Sequence, residues 1–263
     1  MQIGIIGVGF VGKAVKQAFS FKHNVIGYDN ALPEYKETWP EILKCAMVFV
    51  CVPTPTIVNR QNIDALHDVL QKLSDDNYEG PVVVKCTVLP GTMARYQKLR
   101  KNLTLVHNPE FLTAVASFAD FMSQKTVLIS TKLKSTAMLV YEAYRTVMPN
   151  VGLIYDDCFQ VTECAKYMSN CFLASKVTWC NEFANVCTAA GADYDDVLTM
   201  ALSQGLIAPN HTRVPGPDGQ RGYGGACFPK DVKALATYAQ EQGVVFSLLQ
   251  QTDRTNDRIR GDK

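Results

Sequence analysis

Gln2-Ile-Gly-Ile-Ile-Gly-Val-Gly-Phe-Val-Gly12 opens the chain after Met1. Gln2 to Ile6 is a short apolar run of the kind that makes a buried parallel strand. Gly7-Val-Gly-Phe-Val-Gly12 follows without a spacer, and Ala14, Val15, Ala18 and Phe19 continue at helical spacing. In such a strand–loop–helix unit the first glycine makes the tight turn and the second lets a pyrophosphate approach. The third lets helix and strand pack, and the phosphates rest on the helix N-terminus. A bare Gly-x-Gly-x-x-Gly is a weak signal, but here both flanks agree with it. Asn24-Val-Ile-Gly-Tyr-Asp29 supplies a second strand ending in an acid, 17 residues past Gly12. That is near the spacing of a ribose 2′-hydroxyl ligand. An acid there repels a 2′-phosphate, which favours NAD over NADP. Gly7, Gly9, Phe10, Val11, Gly12 and Asp29 are thus candidate cofactor-binding residues.

Outward from this unit the pattern stays α/β. A short helical piece is expected from about Trp39 to Lys44. Met47-Val-Phe-Val-Cys-Val52 is a third strand stopped by Pro53-Thr-Pro-Thr56. That puts Val52, Pro53 and Thr54 at a carboxyl edge, where α/β sheets bind ligands. A helix from about Ile63 to Leu73 leads to a fourth strand, Val82 to Cys86, and the loop Thr87-Val-Leu-Pro-Gly-Thr92. Leu103 to Val106 and Thr126 to Ile129 read as further strands. Between them His107-Asn-Pro-Glu-Phe-Leu112 places Glu110 just past a strand, where a carboxylate can be partly desolvated with a raised pKa. Taken alone, Glu110 reads more simply as an ordinary loop acid.

From about Cys158 strands give way to long helices, so a division into residues 1–156 and 157–263 is expected. Phe159 to Ala190 carries almost no Pro or Gly. Cys164, Cys171, Cys180 and Cys187 are spaced seven, nine and seven apart. We read them as one packed face with Ala165, Met168, Phe172 and Ala184 rather than as a metal site. Lys166 and Asn170 stand i, i+4 on another face. A helix from about Tyr194 to Ser203 precedes the Pro- and Gly-rich stretch Gly205 to Tyr223, of a length often found in ligand lids. Helices from about Asp231 to Gln242 and Phe246 to Ile259 complete the chain.

The second informative stretch is Gly222-Tyr-Gly-Gly-Ala-Cys-Phe-Pro-Lys-Asp231. Its glycines permit positive φ and close approach to a ligand. Pro229 suits the first turn of a helix, so Cys227 falls at or just before a helix N-terminus with Lys230 nearby. Both features favour a thiolate. A buried structural cysteine is the commoner fate of a lone thiol, but the surrounding residues turn that expectation round.

Composition excludes several classes. The 263 residues are 47% hydrophobic and 19% charged, with 26 basic against 25 acidic residues. No net field recruits nucleic acid or a membrane, and no apolar run reaches the roughly 18 residues of a spanning helix. Nine cysteines without a Cys-x-x-Cys pair fit reduced thiols in a cytoplasm, not a disulfide framework or zinc site.

The motifs resemble the UDP-glucose/GDP-mannose dehydrogenase family. The resemblance rests on Gly7-x-Gly-x-x-Gly12, Val52-Pro-Thr-Pro55, Thr87 with Pro90-Gly-Thr92, Asn108-Pro-Glu-Phe-Leu112, Glu163-x-x-Lys166-x-x-x-Asn170, Asn181-Glu182 and Gly224-Gly-x-Cys-Phe-Pro-Lys-Asp231. It implies a Rossmann-like NAD domain and a helical central domain that dimerises. It also implies oxidation of a nucleotide-sugar C6 alcohol to the acid with two NAD, UDP-glucose being the implied substrate and GDP-mannose the alternative. On that resemblance Cys227 is the nucleophile that carries a thiohemiacetal and then a thioester. Lys166 and Asn170 stabilise the sugar oxygen, Asp231 and Thr87 position water, and Glu110 is a general base. Phe111, Leu112, Tyr223, Gly224 and Gly225 hold the sugar, and Lys230, with Thr87 again, lies near the cofactor.

The departures are also specific. The family's third, nucleotide-binding domain has no counterpart before Lys263, and the segment from Asp29 to Met47 is shorter. A second glutamate of the pattern is Ala114, and an arginine expected before the glycine run is replaced by Leu206 or Ile207, with Arg213 or Arg221 as substitutes. Two other classes compete with this reading. β-Hydroxyacid dehydrogenases also use a lysine and an asparagine four residues on, for a single hydride step without a cysteine. A non-catalytic NAD-binding module is the other.

Overall fold

A computed structural model describes residues 1–113 and 115–261; Ala114 lies outside the described residues. The chain forms two compact units, one of Met1–Pro55 with Gln61–Lys166 and one of Thr56–Arg60 with the residues from Tyr167 onward.

The first unit carries strands β1 (Gln2–Ile6), β2 (Asn24–Tyr28) and β3 (Met47–Val50), with helix α1 (Phe10–Phe19) after β1. A single 3-10 turn (Pro33–Tyr35) and the short α2 (Trp39–Ile42) join β2 to β3. A two-residue pair, β4 (Thr56–Ile57) and β5 (Arg60–Gln61), then leads to α3 (Asp64–Asp75), β6 (Pro81–Val84), α4 (Thr92–Leu99) and β7 (Thr104–His107). The unit continues through α5 (Ser117–Ser123), β8 (Thr126–Ser130), α6 (Lys134–Val147) and β9 (Gly152–Asp156). Helix α7 (Phe159–Ala190) begins here and passes into the second unit, which adds α8 (Tyr194–Ser203), α9 (Phe228–Glu241) and α10 (Ser247–Arg260). The periodic reading locates each expected strand and helix to within a few residues. It does not foresee α4, α5 or α6, whose apolar residues are interrupted by charge, nor the short β4, β5 and β9.

Seven strands form one sheet in the order β2-β1-β3-β6-β7-β8-β9, parallel except for the antiparallel step between β7 and β8. Alternate residues of each strand feed different cores, as the two-residue strand period requires. Ile3, Ile5, Met47, Phe49, Val83 and Val106 join Phe19, Phe121 and Tyr144 on one face. Ile6, Val48, Val50, Val82, Val84 and Leu105 join Leu66, Leu70 and Tyr96 on the other. A strand that is wet on neither face must be apolar at every position, which explains the uninterrupted runs in the sequence.

The strand order reverses between β1 and β3, and ligands of such sheets sit at that switch point beyond the carboxyl ends. Dinucleotide-binding sheets commonly carry another strand outside β2, whereas here β2 is the edge. The 3-10 turn and α2 cover it instead. The Thr38 hydroxyl donates to the Gly27 carbonyl at 2.5 Å, and a Cβ on Gly27 would stand 3.1 Å from the Tyr35 ring. The Trp39 indole N–H donates to Asp76 Oδ2 at 2.7 Å, which anchors α2 to the end of α3.

Candidate active site

Apart from Lys166 on α7, the expected residues of the first unit lie on the loops that follow β1, β2, β3, β6 and β7 or in the first turn of α1. Gly7 has φ +88°, and a Cβ there would lie 2.9 Å from the Cys51 carbonyl group. A Cβ on Gly12 would fall 1.9 Å from the Gly7 carbonyl oxygen, so α1 reaches its loop only without a side chain at this point. Gly9 is the N-cap of α1 and has nothing within 4 Å of its Cβ position, which leaves its backbone open. Phe10 is exposed and Val11 half-buried. Asp29 closes the loop: Oδ2 accepts from Val8 N at 2.8 Å and Oδ1 from Ala31 N at 2.9 Å. Two glycines where no side chain fits, an open one at a helix N-terminus and an adjoining carboxylate suit a dinucleotide. Gly9 and the first turn of α1 would hold its pyrophosphate and Asp29 its ribose.

After β3, Val52 is half-buried, Pro53 exposed and Thr54 buried. The Thr54 hydroxyl and the Gln61 amide both donate to the Thr87 carbonyl, at 2.8 and 2.9 Å. Gln61 also accepts from Leu89 N at 3.0 Å and so pins the loop that follows β6. Glu163, fully buried, accepts from Gly91 N at 2.7 Å and Met93 N at 2.8 Å. It supplies the cap that α4 lacks from its own sequence, while burial pushes its carboxyl above the usual range against those two bonds.

Lys166 stands on the α7 turn that follows Glu163. Its Nζ lies 3.4 Å from Glu110 Oε1 and 4.8 Å above the Phe111 ring, with only 3% and 8% of the two charged side chains exposed. Glu110 Oε2 accepts from Leu112 N at 2.6 Å, which folds residues 110–112 into a tight turn. Beneath it the buried Lys85 donates to Asn108 Oδ1 at 3.0 Å, Asn108 O at 3.2 Å and the Tyr144 hydroxyl at 3.1 Å. Burial pushes the Lys85 ammonium down to about 8. Neither Lys85 nor Gln61 is singled out by the sequence, because a polar residue between apolar ones does not reveal that it faces inward.

In the second unit Cys227 is the N-cap of α9, half-buried, with Pro229 in the first turn. Asp231 is 1% exposed and collects two partners: Asn170 Nδ2 donates to Oδ2 at 2.6 Å, and Lys230 Nζ lies 2.5 Å from Oδ1. Lys230 is further fixed through its carbonyl, which accepts from the Thr56 hydroxyl at 2.7 Å. Tyr223 is buried, Gly224 half-buried and Gly225 exposed with φ +77°.

Several expectations are corrected here. The four α7 cysteines do not form one packed face: the step from Cys171 to Cys180 is two and a half turns, and burial does not follow the seven-residue step from Cys164 to Cys171. Cys171, Cys180 and Cys187 are buried but Cys164 is exposed, as are Met168 at 75% and Phe172 at 67%. Among the described residues no group of His, Cys, Asp and Glu is arranged to hold a metal ion. The Gly205–Tyr223 stretch is tied to its own helices: Lys176 donates to Asn210 O at 2.7 Å and the Tyr194 hydroxyl to Thr212 O at 2.7 Å. Arg221 is engaged with the Asn181 carbonyl, and Arg213 is exposed.

Two family models match the chain. The NAD binding domain of the UDP-glucose/GDP-mannose dehydrogenase family matches residues 34–148, and the central domain of the same family matches residues 160–258. The chain belongs to the UDP-glucose/GDP-mannose dehydrogenase family. NAD is its cofactor, and the glycine loop and Asp29 lie ahead of the first matched segment. The chain is 27% identical to the UDP-glucose 6-dehydrogenase of Rickettsia prowazekii, across 97% of this chain and 67% of that one. In fold it is similar to a UDP-glucose dehydrogenase from Pyrobaculum islandicum (TM-score 0.84, 22% identity, 98% and 68% coverage). It is also similar to a Mycobacterium tuberculosis 3-hydroxyisobutyrate dehydrogenase (TM-score 0.76, 15% identity, 99% and 94% coverage). This family member therefore couples a Rossmann-like NAD-binding domain to a helical central domain. Among the described residues no helix is long and apolar enough to cross a membrane.

Proposed function

We propose that this chain carries out the NAD-dependent, four-electron oxidation of the C6 alcohol of a nucleotide sugar, UDP-glucose, to the uronic acid. The observation that carries the reading is the α9 terminus, where Cys227 caps the helix whose buried Asp231 holds Asn170 and Lys230. A single-hydride alcohol dehydrogenase has no use for a thiol there. NAD, when bound, supplies the hydride acceptor for each of the two oxidations. The first oxidation gives the aldehyde. The Cys227 thiolate adds to its carbonyl carbon, forming a C–S bond and a thiohemiacetal, which places a hydride donor at C6 again. Loss of that hydride leaves a thioester, and water cleaves the C–S bond to give the acid and the thiol.

Each other residue has a role set by its charge. Lys166 and Asn170 stabilise the oxygen on which negative charge develops. Glu110 serves as general base, held in place by Lys166. Asp231 and Thr87 orient the water. Phe111, Leu112, Tyr223, Gly224 and Gly225 hold the sugar through backbone and shape. Val52, Pro53, Thr54, Thr87 and Lys230 bound the cofactor, together with Gly7, Gly9, Phe10, Val11, Gly12 and Asp29. The functional division falls at residues 156 and 157, between β9 and α7. The nine thiols, with no disulfide among the described residues, suit a cytoplasmic setting.

The yield of NADH per sugar at complete turnover tests the reaction. Two per UDP-glucose is expected. One per sugar would place the chain with the β-hydroxyacid enzymes, and two from GDP-mannose alone would change the substrate.

We propose also that the chain works as a homodimer joined along α7. Met168, Phe172, Trp179 and Val186 follow one another at four- and seven-residue steps and are 56% to 75% exposed. Trp179 stacks on Phe183 at 4.8 Å, a rigid apolar surface of the type that anchors interfaces. Trp179→Glu is expected to convert a dimer to a monomer in sedimentation velocity. A monomeric wild type would end this reading.

A further inference from the structure

The glycine run that leads to Cys227 has two positive-φ hinges, Gly222 at +76° and Gly225 at +77°. Glycine leaves the backbone its widest choice of conformations, so something outside the run must select one. Within the second unit that something is α10. Asn256, 4% exposed, meets Tyr223 with both halves of its amide. Its Oδ1 accepts from Tyr223 N at 2.7 Å and its Nδ2 donates to Tyr223 O at 3.0 Å. This is the two-bond pattern that a neighbouring strand makes, delivered by one side chain. Asn181 of α7 adds a bond from Gly222 N at 3.0 Å. Arg260 of α10 donates to Arg221 O at 3.2 Å and to Asp218 Oδ2 at 2.7 Å.

Gly222 and Gly224 are required by these partners, whatever the run also binds. A Cβ on Gly222 would lie 2.6 Å from Asn256 Oδ1, and one on Gly224 would lie 1.8 Å from Arg260 Nη2. Tyr223, once fixed, sets its ring edge-on to Phe228 at 6.3 Å, and Phe228 adjoins Cys227. The path from Asn256 to the thiol is therefore short: amide, Tyr223 backbone, Tyr223 ring, Phe228, Cys227.

We infer that Asn256 is a positioning residue for Cys227, selecting the one conformation of residues 222–226 in which the thiol is presented at the head of α9. The inference rests on the thioester reading for its kinetic consequence but not for its structural one. An amide is needed because both a donor and an acceptor must be offered to one residue's backbone. Asn256→Asp keeps the shape and the acceptor and loses the donor. Asn256→Leu keeps only the volume.

The test measures Cys227 alkylation by iodoacetamide as a function of pH, resolved by peptide mass spectrometry, with the exposed Cys164 as internal reference. NADH formation from UDP-glucose is followed on the same samples. For Asn256→Leu the Cys227 profile is expected to shift while Cys164 does not, and kcat to fall on the order of 10- to 100-fold with KM changed less, as misplacement of a reacting group does. Asn256→Asp should lie between Leu and wild type in both readouts. A merely structural asparagine would lower the melting temperature and leave the Cys227 profile of the folded protein unmoved, and that result overturns the inference. Failure of both variants to fold overturns it as well. If wild type does not turn over UDP-glucose but the Cys227 profile still follows residue 256, the thioester reading fails and the positioning role stands.

Discussion

Cys227→Ser is expected to stop the reaction at the aldehyde, yielding at most one NADH per sugar and no uronic acid. The reason is the difference between the two oxidations. An alcohol carries a hydride that can leave once its proton is removed, and no covalent bond to Cys227 is needed for that. An aldehyde must first gain a nucleophile. A serine hydroxyl stays protonated near neutral pH, whereas a thiol gives up its proton far more readily and is intrinsically more nucleophilic. Removing a covalent nucleophile generally costs at least about a thousandfold. The measurement is NADH per UDP-glucose at complete turnover, with mass spectrometry of the sugar product. Two NADH at near wild-type rate from the serine variant would remove the thioester from the mechanism.

Lys166→Met is expected to have the next largest effect, in two separable parts. Taking away the cation that faces the developing oxyanion should lower kcat by about 100- to 1000-fold. Taking away the partner of a buried Glu110 should also destabilise the protein, by up to about 3–5 kcal/mol, since the carboxylate keeps its bond from Leu112 N but loses its counter-charge. The pair lies 3.4 Å apart with both groups almost fully enclosed. The double variant Lys166→Met, Glu110→Gln separates the parts, because it removes the stranded charge without returning the cation. Its urea midpoint should recover most of the loss while kcat stays low. Recovery of both would reduce Lys166 to a structural role.

The fold was legible wherever one rule decided the residue type. Strands buried on both faces must be apolar throughout, so β1, β3, β6 and β7 stand out. The glycines at 7 and 12 stand out because a Cβ has no room at either. Cys227 at the head of α9 was legible from Pro229 and the glycines before it. The supports of the site were not. Lys85, Gln61, Asn256 and Arg260 act at separations of about 20 to 40 residues. Nothing local distinguishes Asn256 from the other polar residues of α10, since its distinction is the backbone it faces. The cysteines of α7 misled because spacing does not report burial: Cys164 and Cys171 lie seven residues apart on nearly one face, yet one is exposed and the other buried, while Cys180, half a turn away, is buried too.

The flank of β2, which no further strand pairs, bears on how such a sheet can be altered over evolutionary time. Its loops for ligand spring from β2 and the strands inside it, so a further strand outside β2 is dispensable to them. A chain can then be shortened between Asp29 and Met47 without disturbing the turn at Gly7, provided the bared margin is sealed. Tyr35, Thr38 and Trp39 do the sealing with one hydroxyl, one ring against a glycine and one indole bond. Periphery and centre of this architecture are thus free to change at different rates, and an engineer seeking a smaller scaffold would trim from that margin inward.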